Sequence, residues 1–157
     1  MSLINKNDKI FIAGSRGMVG SAIKRKLNNF GYSNLVCPDR NELDLTNNKE
    51  VSRWYKKHKP DIIILAAAKV GGIYANNYYP ANFILDNIKI QTNVIEGAWK
   101  NEAKRLLFLG SSCIYPRDTK QPIKEEALLT GSLEDTNQWY AIAKISGIKL
   151  CQALRIQ

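Results

Sequence analysis

Short apolar runs alternate along the chain with longer stretches in which apolar residues recur at helical spacing. Four runs of bulky or β-branched residues predict buried strands, at Ile10–Ala13, Leu35–Cys37, Ile62–Ala66 and Leu106–Leu109. The stretches between them predict helices, at Val19–Phe30, Asn47–His58 and Pro80–Lys100, with a last helix from Gln138 towards Gln157. Because each parallel crossover needs a helix on one face, this alternation predicts an α/β fold with a doubly wound parallel sheet.

The number of predicted strands is small for such a fold. A doubly wound sheet usually continues to a fifth and a sixth strand, whereas no strand is predicted after the last helix. We expect residues 1–157 to form one domain that is the N-terminal part of a longer protein, rather than a minimal version of the fold.

Composition and charge narrow the class of protein. The 157 residues are 45% hydrophobic and 24% charged, which is typical of a globular domain, and the net charge of +9 favours an anionic partner. Cys37, Cys113 and Cys151 lie far apart and form no cluster with His58, which argues against a structural zinc site and for a reducing compartment. No apolar run is long enough for a signal peptide or a membrane span. We predict a cytoplasmic protein with no metal and no membrane partner.

A glycine-rich loop joins the first strand to the first helix. Gly14, Gly17 and Gly20 form a GxxGxxG pattern, in the strand-to-helix context in which such loops bind a dinucleotide. Gly14 suits a tight turn, Gly17 lets backbone amides approach a pyrophosphate, and Gly20 lets the helix pack closely on the strand. Three ordinary turn glycines are the alternative. We predict a Rossmann-type cofactor site that uses the whole loop: Gly14, Ser15, Arg16, Gly17, Met18, Val19 and Gly20.

The residues after the second strand bear on which cofactor binds. Arg40 lies about twenty positions beyond the loop, where an arginine accommodates the 2′-phosphate of NADP and an acidic residue would bind the ribose of NAD. Arg16 and Arg40 together suit a phosphate. Asp39 is a counter-indication, and all three charges could simply be solvated. We predict NADP.

Two further patterns carry side chains that can move protons. Tyr140 and Lys144 are four residues apart, hence on one helix face, where a cation favours the phenolate and would lower the pKa of the tyrosine. A surface pair is the alternative. Ser111 and Cys113 follow the fourth strand and, in extended backbone, point the same way, the hydroxyl towards a substrate carbonyl and the thiol towards a carbon beside it. A loop cap and a small buried hydrophobe are the alternatives for Ser111 and Cys113.

At this point the sequence resembles the GDP-L-fucose synthases, members of the extended short-chain dehydrogenase/reductase superfamily. The similarity covers essentially the whole chain, and the stretches that carry it are FIAGSRGMVGSAI, LAAAKVGGIYANN, LLFLGSSCIYP and YAIAKISGIKLC. The resemblance implies epimerisation of GDP-4-keto-6-deoxy-mannose at C3 and C5, followed by reduction of the C4 ketone by NADPH.

Roles follow from matching positions of that family. Tyr140 would donate a proton to the C4 oxygen, Lys144 would bind the cofactor ribose and tune Tyr140, Ser111 would orient the ketone, and Cys113 would be an epimerisation acid-base. The remaining cofactor contacts implied are Arg16, Arg40, Asp44, Leu45, Ala66, Ala67, Ala68, Leu109 and Gly110.

The resemblance also implies parts that these residues do not include. The family has a second acid-base, a histidine beyond the Tyr-Lys helix, and a C-terminal domain that binds the GDP-sugar, so we expect this chain alone to be inactive. The family dimerises through the long helix and the Tyr-Lys helix. Here the latter carries Ile142, Ile145, Leu150 and Leu154, which fit either a dimer contact or ordinary core packing.

Other functions remain as alternatives. The cluster Arg53, Lys56, Lys57 and Lys59 could mark a nucleic-acid-binding protein, but it reads as one solvated helix face without a recognised motif. Another nucleotide-sugar epimerase or dehydratase, or a non-catalytic redox sensor, would not need the combination of Ser111, Cys113, Tyr140 and Lys144.

Overall fold

The computed structural model describes residues 3–157, which form four strands and five helices. The strands are β1 (Ile10–Ala13), β2 (Leu35–Val36), β3 (Ile62–Leu65) and β4 (Arg105–Phe108). The helices are α1 (Met18–Asn29), α2 (Asn48–His58), α3 (Ile73–Tyr78), α4 (Pro80–Lys100) and α5 (Gln138–Ile156). Two short 3-10 turns lie at Ser112–Ile114 and Glu125–Ala127. Each predicted strand and helix is therefore confirmed to within one residue at its bounds, while α3 and the two turns were not predicted.

The strands form one parallel sheet in the order β2-β1-β3-β4. Ile10 pairs with Leu35 on one side and with Ile62 on the other, and Ile62 pairs in turn with Arg105. The chain therefore crosses in one direction from β1 to β2 and in the other from β2 to β3. In such sheets ligands bind beyond the carboxyl ends of the strands at this reversal, which here lies between β1 and β3. The predicted α/β, Rossmann-type architecture is confirmed.

The two faces of β1 pack on different helices, as the alternation of side chains along a strand requires. Ile10 and Ile12 form a buried cluster with β3, against which Ile23 and Leu27 of α1 pack. Phe11 points the other way, with its ring centroid 4.3 Å from that of Trp54 on α2. Burial on both faces explains why the strand is apolar throughout.

Helix α4 packs on α2 through a glycine. The Tyr55 hydroxyl is buried and donates a hydrogen bond to the Val94 carbonyl at 3.0 Å. A Cβ on Gly97 would lie 2.6 Å from the Tyr55 ring. The tyrosine ring therefore occupies the space that any larger residue at position 97 would need.

The contacts divide the chain into two compact units. The first unit contains the described residues through Ala68 together with Lys89–Leu109, and so holds the whole sheet, α1, α2 and most of α4. The second unit contains Lys69–Ile88 and Gly110–Gln157, and so holds α3, the start of α4, both 3-10 turns and α5. The expectation of one domain over residues 1–157 stays a prediction.

Within residues 3–157, none of the helices combines the length and the apolar character that crossing a membrane would take.

Candidate active site and cofactor loop

The glycine loop is shaped by contacts that leave no room for side chains at two of its positions. Gly14 has φ +86°, a conformation that favours glycine, and a Cβ there would lie 2.6 Å from the Ala67 nitrogen. A Cβ on Gly20 would lie 2.1 Å from the Gly14 carbonyl oxygen. The loop thus packs directly on the chain after β3 and on the first turn of α1.

Gly17 differs from these two glycines because its side-chain position is open. A Cβ there would lie 3.4 Å from the Gly14 oxygen, which is ordinary contact. Gly17 is also the residue before α1, and it provides no side-chain cap. The first amides of a helix have no partner within the helix, and its dipole favours an anion at this end. Ser15 is buried, whereas Met18 and Val19 are exposed. This end of α1 can therefore receive a pyrophosphate.

The loop after β2 holds Arg16 close to Asp39. The Arg16 guanidinium donates to the Asp39 carboxylate at 2.8 Å, and the arginine side chain is 77% exposed. The same carboxylate accepts from the backbone amides of Asn41 and Glu42. Asp39 is therefore partly neutralised by Arg16 and bound by its own loop, while Arg40 is exposed. Two guanidinium groups on this loop and the glycine loop suit a phosphate monoester.

The predicted adenine contacts lie in a turn that hydrogen bonds hold from two sides. Asp44 accepts from the amide and the hydroxyl of Thr46, which lowers the pKa of its carboxyl group. The Leu45 carbonyl accepts from the side-chain amide of Asn93, on α4, at 2.8 Å.

On the opposite side of β1, Ala66, Ala67 and Ala68 continue β3 and are half-buried. Leu109 also donates to the β3 residue Leu65 at 3.3 Å, and it is half-buried. All of these residues belong to the first unit.

Ser111 and Cys113 lie in contact in the second unit. The Cys113 Sγ donates to the Ser111 Oγ at 3.1 Å. The backbone is extended at Ser111, but Ser112–Ile114 forms a 3-10 turn. The extended backbone on which the predicted common direction of Ser111 and Cys113 depended therefore ends at Ser111, and the sulfur meets the hydroxyl across a 3-10 turn. Gly110, which precedes them, is exposed.

Tyr140 and Lys144 lie in the first half of α5, as their spacing predicts. The Lys144 Nζ is 5.8 Å from the centroid of the Tyr140 ring, and Lys144 is only 4% exposed. Burial raises the pKa of the Tyr140 hydroxyl, and the charge of a Cys113 thiolate raises it further. Burial lowers the pKa of the Lys144 ammonium, an effect that Cys113 opposes. The expected lowering of the Tyr140 pKa is thus wrong, because burial of the hydroxyl is the largest influence on it and raises it.

Three buried asparagines were not predicted from the sequence as functional residues. Asn87 and Asn93 on α4 and Asn76 on α3 are each at most 7% exposed. For Asn87 and Asn93, the signal in the sequence is an amide at a position of α4 where the helical spacing calls for an apolar residue, whereas Asn76 on α3 has no such signal. Such an amide needs hydrogen-bond partners when it is buried, so it marks a backbone segment that it holds.

Comparison with known proteins agrees with this arrangement. The model of the NAD dependent epimerase/dehydratase family matches residues 10–157. GDP-L-fucose synthase 1 of Arabidopsis thaliana is 62% identical over 156 residues, which are 99% of this chain and 48% of that protein. The GDP-L-fucose synthase of Sinorhizobium fredii is 58% identical over 149 residues, 95% of this chain and 47% of that protein.

A solved structure is similar over nearly the whole chain. The GDP-mannoheptose C4 reductase of Campylobacter jejuni with NADP bound is 40% identical, with a TM-score of 0.95, and the match covers 98% of this chain and 49% of that one. The chain spans about half the length of the curated relatives it matches. With its parallel sheet, its glycine loop and the family match over residues 10–157, the chain belongs to the NAD dependent epimerase/dehydratase family.

Proposed function

We propose that this chain supplies the cofactor-binding and proton-transferring residues of an NADPH-dependent enzyme that epimerises GDP-4-keto-6-deoxy-mannose at C3 and C5 and reduces its C4 ketone. The observation that carries the proposal is the 3.1 Å contact of Cys113 with Ser111, in the same unit as the Tyr140–Lys144 pair. A thiol beside a carbonyl-orienting hydroxyl suits proton transfer next to a ketone, and a buried tyrosine with a lysine suits reduction of that ketone. The similarity to two GDP-L-fucose synthases supports the substrate.

The residues after β1, β2 and β3 fit NADP. The close packing of Gly14 and Gly20 brings backbone to the position where a pyrophosphate would lie, at the amino end of α1. Arg16 and Arg40 would hold the 2′-phosphate, and Arg16 would give up its bond to Asp39 to bond the phosphate instead. The NADP-bound relative supports this choice of cofactor. Bound NADPH would supply the hydride that reduces the C4 carbon.

The reductive proton would come from Tyr140. Because burial raises the pKa of this phenol, it stays protonated at neutral pH and can give its proton to the C4 oxygen. Ser111 would donate a hydrogen bond to the same oxygen and so orient the ketone. Lys144 would bond the cofactor ribose from the next turn of α5.

Epimerisation would use Cys113. Its thiolate would take a proton from a carbon next to the C4 ketone, and the resulting enolate oxygen would be stabilised by the Ser111 hydroxyl. Return of a proton to the opposite face inverts that carbon. The resemblance to the GDP-L-fucose synthases implies a histidine as the second acid-base, and we infer the same division of roles for the whole protein.

The whole protein is also proposed to be a homodimer that associates through α4 and α5. Leu85 and Trp99 on α4 and Trp139 and Ile142 on α5 are all at least 38% exposed. Ile145 is buried within the chain, so of the predicted contact residues Ile142 is the one most available to a partner. Light scattering should give the mass of two chains, and Ile142→Glu should reduce it to one while Lys149→Glu does not.

A chimera tests the catalytic proposal. The chain is joined to the remainder of the Sinorhizobium fredii synthase and supplied with NADPH and GDP-4-keto-6-deoxy-mannose in deuterated water. We expect loss of NADPH absorbance and deuterium at C3 and C5 of the product, detected by NMR. A folded chimera that binds NADPH but leaves the sugar unchanged would overturn the proposal.

Two variants of the chimera separate the proposed roles. Tyr140→Phe should abolish NADPH oxidation while deuterium still enters at C3 and C5. Cys113→Ser should abolish the deuterium exchange and leave NADPH affinity unchanged. If both variants lose both steps equally, the division of roles between Tyr140 and Cys113 is wrong.

A further inference from the structure

Two buried asparagines hold the segment Lys69–Gly72, which directly follows Ala66, Ala67 and Ala68. Asn87 bonds the backbone of Lys69 and Asn76 bonds the backbone of Gly71 and Gly72. The asparagines are 2% and 4% exposed. The segment itself lies at the surface, with Val70 71% exposed. Two buried side chains thus hold the backbone of a segment that is itself exposed to solvent.

Asn87 forms a complete backbone clamp. Its Oδ1 accepts from the Lys69 amide at 2.8 Å, and its Nδ2 donates to the Lys69 carbonyl at 2.9 Å. The same Nδ2 donates to the Phe83 carbonyl at 2.7 Å, one turn earlier in α4. Asn87 therefore does what a neighbouring strand would do, because it satisfies both the donor and the acceptor of one residue. The Lys69 side chain is held as well, by Asp86 at 2.7 Å.

Asn76 holds the other end of the segment at a cost. Its Nδ2 donates to the Gly71 carbonyl at 3.0 Å and to the Gly72 carbonyl at 3.1 Å. Two carbonyl acceptors settle which end of the amide carries the nitrogen. The Oδ1 of Asn76 is buried without a hydrogen-bond partner among the described residues. A buried polar atom left unpaired costs free energy, so packing alone would favour an apolar residue here.

Packing fixes the same segment. A Cβ on Gly71 would lie 2.9 Å from Cζ of Phe83, which is itself buried, and 3.1 Å from Cβ of Ala75. Around Gly72 there is open space on the side where a Cβ would point. Asn76, Phe83 and Asn87 therefore fix the backbone conformation of this segment, and the segment stays exposed to solvent.

We propose that Asn87 and Asn76 are positioning residues that hold the chain beyond β3 for the nicotinamide half of NADPH. The inference rests on the proposed function. Arg40 and Leu45, predicted for the adenosine half, follow β2, and the pyrophosphate loop follows β1. In the sheet, β3 lies on the side of β1 away from β2. The nicotinamide half would therefore be bound by Ala66–Ala68 and by the segment that follows them. Asn87 and Asn76 act on that half alone, through the backbone of Lys69–Gly72.

Asn93 provides a matched control on the same helix. It is buried like Asn87, and it also bonds a loop carbonyl, but that carbonyl is Leu45 at the adenosine end. Its Oδ1 accepts from Asn48 at 3.0 Å. Loss of Asn93 should therefore disturb the adenosine half, whereas loss of Asn87 should not.

The test measures the affinity of the full chain for two ligands, NADPH and adenosine 2′,5′-bisphosphate, by calorimetry. Asn87→Ala should weaken NADPH binding about tenfold, because it leaves both backbone groups of Lys69 unpaired, and leave adenosine 2′,5′-bisphosphate binding unchanged. Asn93→Ala should weaken both ligands by the same factor. A general loss of stability would also lower both affinities in parallel, so the ratio of the two distinguishes positioning from folding.

Asn76→Ala keeps the test decisive if Asn87→Ala does not fold. It removes a buried unpaired oxygen along with two bonds, so the variant should fold, and it should weaken NADPH about threefold and adenosine 2′,5′-bisphosphate not at all. Parallel changes for the two ligands in Asn87→Ala or Asn76→Ala, or no change in either, would overturn the inference. If the wild-type chain binds adenosine 2′,5′-bisphosphate but not NADPH, the inference fails while the adenosine half of the site stands. Wild-type chain that binds neither ligand contradicts the proposed function itself.

Discussion

The two compact units fix their functional residues by different means. In the first unit the glycine loop is determined by backbone against backbone, with the Gly20 side-chain position 2.1 Å from the Gly14 carbonyl. In the second unit, side chains do this work: the Cys113 sulfur contacts the Ser111 hydroxyl, and asparagine amides hold Lys69 and Gly71. Close backbone packing tolerates no added atom, whereas a side-chain contact can be altered one atom at a time. Substitutions at Gly14 and Gly20 should therefore affect folding, whereas substitutions at Cys113 and at the asparagines that hold Lys69 and Gly71 should affect chemistry.

Gly20→Ala is the change with the largest expected effect on stability. Its Cβ would overlap the Gly14 carbonyl, and relief requires moving the loop away from α1, so the free energy of unfolding should fall by roughly 3 kcal/mol. Urea unfolding followed by circular dichroism measures it. Gly17→Ala is the control, since its Cβ meets only ordinary contact, and it should unfold like wild type. Equal stability of the two variants would refute the backbone-packing description.

Lys104→Met should lower the melting temperature of the first unit in a pH-dependent way. Lys104 bonds Asp8 at 2.8 Å and Asp61 at 2.9 Å, where the starts of the strands meet. These bonds lower both aspartate pKa values below the ordinary 3.8. The stabilisation by these two ion pairs is thus complete above pH 3.8. It is lost as the pH falls through the lowered pKa values of Asp8 and Asp61.

The expected result is a wild-type advantage over Lys104→Met at neutral pH that disappears in acid, measured by thermal melts across the pH range. Lys100→Met serves as the control, because the Lys100–Glu96 pair is an exposed pair on one helix and contributes little. A Lys104→Met difference that stays constant into acid would show that the loss comes from packing and not from the ion pairs.

Asp39→Asn should strengthen NADPH binding about threefold at low salt, since it removes a negative charge beside the proposed phosphate site. The asparagine oxygen can still accept from the Asn41 amide, so the loop should keep its form. NADH affinity should not change, and the NADPH gain should shrink as salt is added. An equal gain for both cofactors would mean that Asp39 does not lie near the 2′-phosphate.

Cys113→Ser should have the smallest effect on stability, below about 0.5 kcal/mol. A serine hydroxyl can replace the thiol beside the Ser111 hydroxyl. Urea unfolding should superimpose on wild type, with Cys151→Ser as a second single-thiol control. Destabilisation as large as that of Gly20→Ala would erase the distinction between the two units.

The same distinction explains what could be predicted from the sequence. The strand Ile10–Ala13 and the glycine loop were predictable because their geometry follows from local rules of backbone and periodicity. Helix α3 was not, since its exposed Ile73 and Tyr74 show no amphipathic pattern. The start of the helix is held by Asn76, which bonds the Gly71 and Gly72 carbonyls, and a local pattern does not encode such a bond.

The reactive residues were identified by type and spacing, but their surroundings were not. Tyr140 and Lys144 lie on α5 as predicted, yet the direction of the Tyr140 pKa depends on burial, which only the packed structure shows. Ser111 and Cys113 are together for a reason other than the predicted one, because a 3-10 turn interrupts the extended chain. The pairing of Arg16 with Asp39 likewise joins residues 23 positions apart in sequence.

The most direct test of the central claim is a parallel calorimetric titration of the full chain with NADPH and NADH, repeated for the double variant Arg16→Ala with Arg40→Ala. The proposed site predicts saturable binding with NADPH clearly tighter, and a double variant that binds the two cofactors equally weakly. A folded chain that binds neither cofactor, or binds NADH as tightly as NADPH, would contradict an NADPH-dependent function.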